Sequence, residues 1–226
     1  MDLKNKIIVV TGGLGSLGRA VCNAAVQAGA IVVAVDVVEG EAVAGVESSP
    51  AFDLGDAEAT KTGLSAIAKK YGRIDALVNV AGGFRWETVA DGSIETWDLL
   101  YQMNVRTAVN ASRGALAFFP ASGGRIVSIS AAGAMKADLG MGAYAASKSG
   151  VARFTEALAE ELKPRNITVN AVLPSIIDTQ PNRNDMPDAD FSTWVTPAAL
   201  ADVILFLLSD RADVITGALI PVTGRV

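Results

Sequence analysis

Short β-branched runs alternate along this chain with longer stretches whose apolar residues recur at helical spacing. The runs at Ile7–Thr11, Ile31–Asp36, Ala51–Asp53, Ala76–Asn79, Arg125–Ser130, Thr168–Val172 and Ala218–Val222 predict strands. Helices fill the intervals. The clearest runs from about Ala143 to Leu162: Val151, Phe154, Leu158 and Leu162 recur at helical spacing, Glu156, Glu160 and Glu161 point elsewhere, and Pro164 ends it. The alternation predicts an α/β fold, a doubly wound, mostly parallel seven-stranded sheet with helices on both faces. No composition shift marks a second domain, so residues 1–226 read as one unit. Between Pro174 and Pro197 lies a stretch rich in Pro, Asp and Asn, with Phe191 and Trp194 near its end. A loop this long in a compact domain is a lid or a disordered segment, and the lid, at about 174–197, is the favoured reading.

Composition narrows the chemistry. Half the residues are hydrophobic and 19% are charged, as in an ordinary globular domain. The net charge of -5 and the absence of a dense Lys/Arg run argue against a nucleic-acid partner. The longest apolar runs fall far short of a membrane span or a signal sequence, so the expectation is a cytoplasmic protein with no membrane contact. There is no histidine and only Cys22, which excludes histidine-based triads, His-ligated zinc or iron, a disulfide framework and a cysteine metal site, and predicts no metal site. Acid/base work must fall to Tyr, Lys or carboxylates.

The first strand feeds Thr11-Gly12-Gly13-Leu14-Gly15-Ser16-Leu17-Gly18 and then a helical stretch from Arg19. Glycines at such a junction let the backbone turn tightly and approach a pyrophosphate, with a helix N-terminus facing the anion. The second strand ends at Asp36, about twenty residues on, where a carboxylate accepts hydrogen bonds from ribose hydroxyls. A 2′-phosphate would be repelled there, so the expected cofactor is NAD (NADH), with NADP less favoured. The plainer reading of Asp36 is a cap on a strand end.

Tyr144 and Lys148 stand one helical turn apart and project from the same face of the clearest helix. An ammonium beside a phenol favours phenolate and is expected to bring its pKa down from about 10. The lysine can also hold ribose hydroxyls.

Together the glycine turn, Asp36, Asp53-Leu54, Asn79-Val80-Ala81-Gly82, Met103-Asn104-Val105, Tyr144-x-x-x-Lys148 and Pro174 with Thr179 resemble the short-chain dehydrogenase/reductase family over essentially the whole chain. The resemblance implies a Rossmann-like fold with Tyr144, Lys148 and Asn104 as catalytic residues, Asn104 holding Lys148 through a water. It also implies that Asp53 and Leu54 border adenine, Ala81 and Gly82 pass along the ribose, and Ile177 and Thr179 approach the carboxamide. Leu14, Ser16, Leu17, Val37, Asn79, Gly83 and Pro174 complete the candidate cofactor set alongside Gly12, Gly15, Gly18 and Asp36.

Two departures stand out. Ser16 takes the place of the family's middle glycine, and Ala131, thirteen residues before Tyr144, replaces its substrate-orienting serine. Ser130 lies next to it, but a one-residue shift on a strand reverses a side chain's direction, so Ser130 reaches a substrate only if the strand end bulges. The branch that also lacks this serine, quinonoid dihydropteridine reductase, is similar in Val35-Asp36-Val37-Val38-Glu39, Val80-Ala81-Gly82-Gly83 and Met186-Pro187-x-Ala189-Asp190-Phe191-Ser192-x-Trp194. Phe84 and Trp194 are candidate substrate contacts with Ser130; the alternative for Phe84, Trp86 and Trp194 is ordinary packing.

The expected activity is NADH-dependent reduction of a small-molecule C=N or C=O group, with Tyr144 giving the proton. An ordinary ketone or alcohol dehydrogenase and a dinucleotide-binding sensor without turnover stand as alternatives. The small residues Ala143, Ala145, Ala146, Ser147, Ser149 and Gly150 suit a homo-oligomer, dimer or tetramer.

Overall fold

The computed structural model describes residues 2–226. Seven strands, β1 (Ile7–Thr11), β2 (Ile31–Val35), β3 (Val46–Ser48), β4 (Ala76–Asn79), β5 (Gly124–Ile129), β6 (Ile167–Pro174) and β7 (Leu219–Val222), form one sheet in the order β3-β2-β1-β4-β5-β6-β7. Every pairing is parallel. The order reverses between β1 and β4, which opens a crevice at the carboxyl ends of these strands, where open α/β sheets bind ligands.

Because side chains alternate across a strand, each strand feeds two cores. Ile8, Val10, Val32, Ala34, Val78 and Val127 face helices α1 (Ser16–Gln27) and α7 (Pro197–Leu208). Val9, Val33, Val35, Leu77, Ile126 and Val169 face α2 (Ala57–Tyr71), α4 (Thr107–Ala115) and α5 (Gly142–Leu162). The fold is thus the doubly wound, Rossmann-like α/β arrangement expected, with the sheet wholly parallel.

The third strand differs from the sequence expectation. It runs over Val46–Ser48, not Ala51–Asp53. Ser49 N–H still reaches the Ala34 carbonyl, but Pro50 has no N–H to continue the ladder. Residues 51–53 instead lead to Asp56, whose carboxylate caps α2 by accepting from Glu58 and Ala59 N–H.

The segment between Pro174 and Pro197 is built rather than bare. It holds the short helix α6 (Gln180–Asp185), capped by Thr179, a 3₁₀ turn at Phe191–Thr193, and a bridge pairing Ile177 with Val195. Trp194 is buried with its ring 4.8 Å from Phe191, and the Arg183 guanidinium lies 4.7 Å from the Phe191 ring centre. A further helix, α3 (Ile94–Leu100), continues through a π-helical turn, Tyr101–Arg106, into α4. No helix among the described residues is long and apolar enough to cross a membrane.

Candidate active site

The glycine turn joins β1 to α1 under severe steric limits. Gly12 has φ +61°, a region open to glycine. A Cβ on Gly18 would lie 2.0 Å from the Gly12 carbonyl oxygen, so the helix can start this close to the turn only with glycine there. Gly15 caps α1 without a side-chain hydrogen bond, and the first turn carries no acidic residue. The helix N-terminus, with Ser16 and Leu17, thus opens directly onto a cavity of about 550 Å³.

Gly12, Gly15 and Gly18 line one side of this cavity; Asp36, Val37, Asp53 and Leu54 line the far end; Ala81 and Gly82 form the wall above β4. Val80 and Met103, which carried the resemblance without a role of their own, and Thr107, which the sequence did not single out, line it as well. The Asp36 carboxylate accepts from Leu14 N–H at 3.1 Å and Val37 N–H at 2.9 Å, which ties the end of β2 to the turn. Arg19 is held by the Leu14 and Glu41 carbonyls. Asn110 fixes the adjacent loop by donating to the Leu54 and Gly55 carbonyls.

These residues fit a dinucleotide. Uncapped amides at a helix N-terminus attract a pyrophosphate, and a carboxylate at the end of β2 accepts from ribose hydroxyls. Thr11 shapes the floor: its hydroxyl accepts from Val80 and Ala81 N–H while donating to the Val78 carbonyl. The position just before the glycines was its only signal.

Several predicted residues sit outside this wall. Asn79 is buried in the sheet, its amide donating to the Ser112 and Ser128 hydroxyls. Pro174 ends β6 beside Val222, and Ile177 and Thr179 belong to the base of α6. The Ser130 hydroxyl is buried and donates to the Lys148 carbonyl at 2.8 Å, so its proton is committed to α5.

Beyond Gly82 the cavity adjoins the titratable pair. Lys148 is buried, its Nζ donating to the Ile129 carbonyl at 2.9 Å and lying 5.9 Å from the Tyr144 ring centre. A Cβ on Gly82 would stand 2.5 Å from Asn104 Oδ1 and 3.4 Å from Lys148 Nζ, so glycine admits both groups to the wall. Asn104 sits on the π-helical turn. Its Oδ1 accepts from Gly83 N–H at 2.9 Å, and its Nδ2 donates to the Gly83 carbonyl at 3.1 Å and to Ser147 Oγ at 2.9 Å. Ser147 Oγ in turn donates to the Tyr144 carbonyl. Asn104 thereby clamps the loop after β4 to the first turns of α5, and Ser147, which sequence reasoning missed as a site residue, completes the clamp.

Burial reverses the expected electrostatics. The Tyr144 phenol is pushed up to about 12 by desolvation, not drawn down by Lys148. The same effect brings Lys148 down to about 8, because a charged ammonium is penalised where water is excluded. In the protein alone, Tyr144 is a protonated phenol at neutral pH, which is the form that can give a proton. Phe84 packs edge-to-face against it, ring centres 4.9 Å apart. Among the described residues no cluster of metal-ligating side chains is present.

Comparison with known proteins agrees with this geometry. A family model described as short chain dehydrogenase matches residues 6–190. The chain is 32% identical to a 3-oxoacyl-(acyl-carrier-protein) reductase of Thermotoga maritima, covering 99% of this chain and 98% of that protein. It is 31% identical to meso-2,3-butanediol dehydrogenase of Serratia marcescens, covering 99% and 95%. Carveol dehydrogenase from Mycobacterium avium, solved in complex with NAD, superposes with a TM-score of 0.87 at 25% identity over 98% of this chain and 97% of that one. The chain belongs to the short-chain dehydrogenase/reductase family of oxidoreductases.

Proposed function

We propose that this protein is an NAD(H)-dependent reductase of a small-molecule C=N or C=O group in which Tyr144 supplies the proton. The observation that carries this reading is the meeting at Gly82 of the cavity lined by Asp36 with Asn104 and Lys148, whose Nζ lies 5.9 Å from the Tyr144 ring centre. Ser16 and Leu17 amides would hold the pyrophosphate of a bound dinucleotide, Asp36 its adenosine ribose, and Lys148 the ribose next to the nicotinamide. That cofactor, when bound, supplies the hydride.

Tyr144 Oη gives its proton to the substrate atom that gains negative charge, and Lys148, where protonated, steadies the phenolate left behind. Asn104 fixes Gly83 and so the wall along which the cofactor would lie. With Ala131 in the strand-end position and the Ser130 hydroxyl donated to α5, the site has less help to offer an unactivated ketone. That favours an electron-poor acceptor whose conjugation makes hydride addition easy, such as a quinonoid dihydropterin. The segment at 174–197 is proposed as the lid over this acceptor, with Ile177 and Thr179 at its base.

An ordinary ketone or alcohol substrate is the second reading, supported by relatives named as a 3-oxoacyl reductase and a butanediol dehydrogenase. Steady-state reduction of quinonoid dihydropterin against a ketone panel, each with NADH and NADPH, separates the two. Higher kcat/KM for the dihydropterin with NADH supports the first reading; a ketone preferred by tenfold or more establishes the second.

A further inference from the structure

Two loops flank Tyr144, and they are fastened to each other. The loop after β4 carries Phe84, Trp86 and Glu87; the loop before α5 carries Leu139 and Gly140. Trp86 Nε1 donates to the Leu139 carbonyl at 3.0 Å, and Glu87 N–H donates to the Gly140 carbonyl at 3.0 Å. The indole lies against Gly140 so closely that a Cβ there would stand 2.1 Å from its ring, and Gly140 adopts φ +72°. Glu87 also anchors the start of α3, accepting from Ser93 N–H and the Thr96 hydroxyl. Yet Phe84 and Trp86 are 50% and 55% exposed. The Trp86 indole, held this firmly and still half open to water, offers a preformed flat surface, and Phe84, two residues before it, sets a second half-exposed ring edge-to-face against Tyr144.

We propose that Phe84 and Trp86 form a rigid docking wall for a planar unsaturated ring in the substrate, and that the packing of Trp86 on Gly140 is the lock that holds this wall beside Tyr144. This rests on Tyr144 being the proton donor, since Phe84 touches its ring. Flat rings gain from stacking or edge contact with such a surface, whereas open-chain carbonyl compounds of similar polarity gain little. Trp86 is on this account a positioning and specificity residue.

The test compares isatin, a flat bicyclic ketone, with 2,3-butanedione, an open-chain one, in the full-length protein with NADH. In Trp86→Leu the ratio of the two kcat/KM values, isatin over butanedione, is expected to fall about tenfold, the order given by loss of one aromatic contact. Trp86→Phe should restore much of the ratio. Gly140→Ala, which drives a methyl into the indole, should lower it as Trp86→Leu does, with thermal unfolding confirming that the variant is folded. A ratio within twofold of wild type in Trp86→Leu overturns the proposal. An unchanged ratio accompanied by subunit dissociation in light scattering also overturns it, assigning the aromatic surface to a second copy of the chain. Should wild type reduce neither compound, calorimetric titration with isatin decides the matter separately: binding in wild type that Trp86→Leu weakens about tenfold supports the wall although the oxidoreductase reading has failed, and binding that is absent in wild type or unchanged in Trp86→Leu overturns the wall too.

Discussion

Lys148 Nζ lies 5.9 Å from the centre of the Tyr144 ring while donating to the carbonyl of Ile129, so the ammonium adjoins the phenol without being spent on it. Burial acts on both groups in opposite chemical directions, holding the phenol protonated and easing the proton off the lysine.

This makes stability depend on pH in a definite sense. Lys148 titrates near 10.5 when unfolded and near 8 when folded, so between those values the unfolded chain holds more protons and stability rises with pH. The buried charge costs on the order of 3 kcal/mol below pH 8, relieved as pH climbs through this window. Lys148→Met should be more stable than wild type at pH 7 and should lose the upward slope between pH 8 and 10. Urea unfolding at a series of pH values measures both.

Activity should carry the same titration. Reduction is expected to decline as pH rises through about 8, because neutral Lys148 no longer steadies the phenolate that proton donation leaves. Lys148→Arg keeps its charge and should hold a flat pH profile through that range, at a lower rate. A decline of equal midpoint in Lys148→Arg would assign the titration elsewhere.

The strand and turn pattern was legible where local chemistry decides. Ile7–Thr11 and Ala76–Asn79 are strands as read, because uninterrupted apolar runs have no place but the middle of a sheet covered on both sides. Val46–Ser48 was not legible: it is a three-residue edge strand, half-buried, with Glu47 at its centre, and Ala51–Asp53 carried no weaker a signal. Tyr144 and Lys148 were found from their spacing, but spacing carries no information on burial, and burial sets the direction of both titrations. The clamp made by Asn104 also escaped, since the π-helical turn that aims it is a product of packing between α3, α4 and α5.

Asp36 gives a test of cofactor choice. Its carboxylate stands at the end of the cavity with two backbone N–H groups fixing it. Asp36→Asn keeps the size and removes the charge, so if Asp36 repels a 2′-phosphate as proposed, the ratio of NADPH Kd to NADH Kd should fall by about tenfold, the order of one unscreened like-charge contact. Fluorescence titration with each reduced cofactor reads this directly.

Asn104 should matter to both folding and rate. Asn104→Ala leaves Gly83 N–H without its partner and unties α5 from the loop, a loss on the order of 1–3 kcal/mol. The expected result is a lower Tm together with a fall in kcat larger than any change in KM, because the wall beside Tyr144 loosens.

In the proposed mechanism Tyr144 Oη moves the proton, and Tyr144→Phe tests this by removing that oxygen alone. Turnover with the best substrate should fall by roughly 10²–10⁴-fold, while the Kd for NADH stays within a few-fold of wild type. Turnover near the wild-type rate with NADH still bound would take the proton-donor role away from Tyr144.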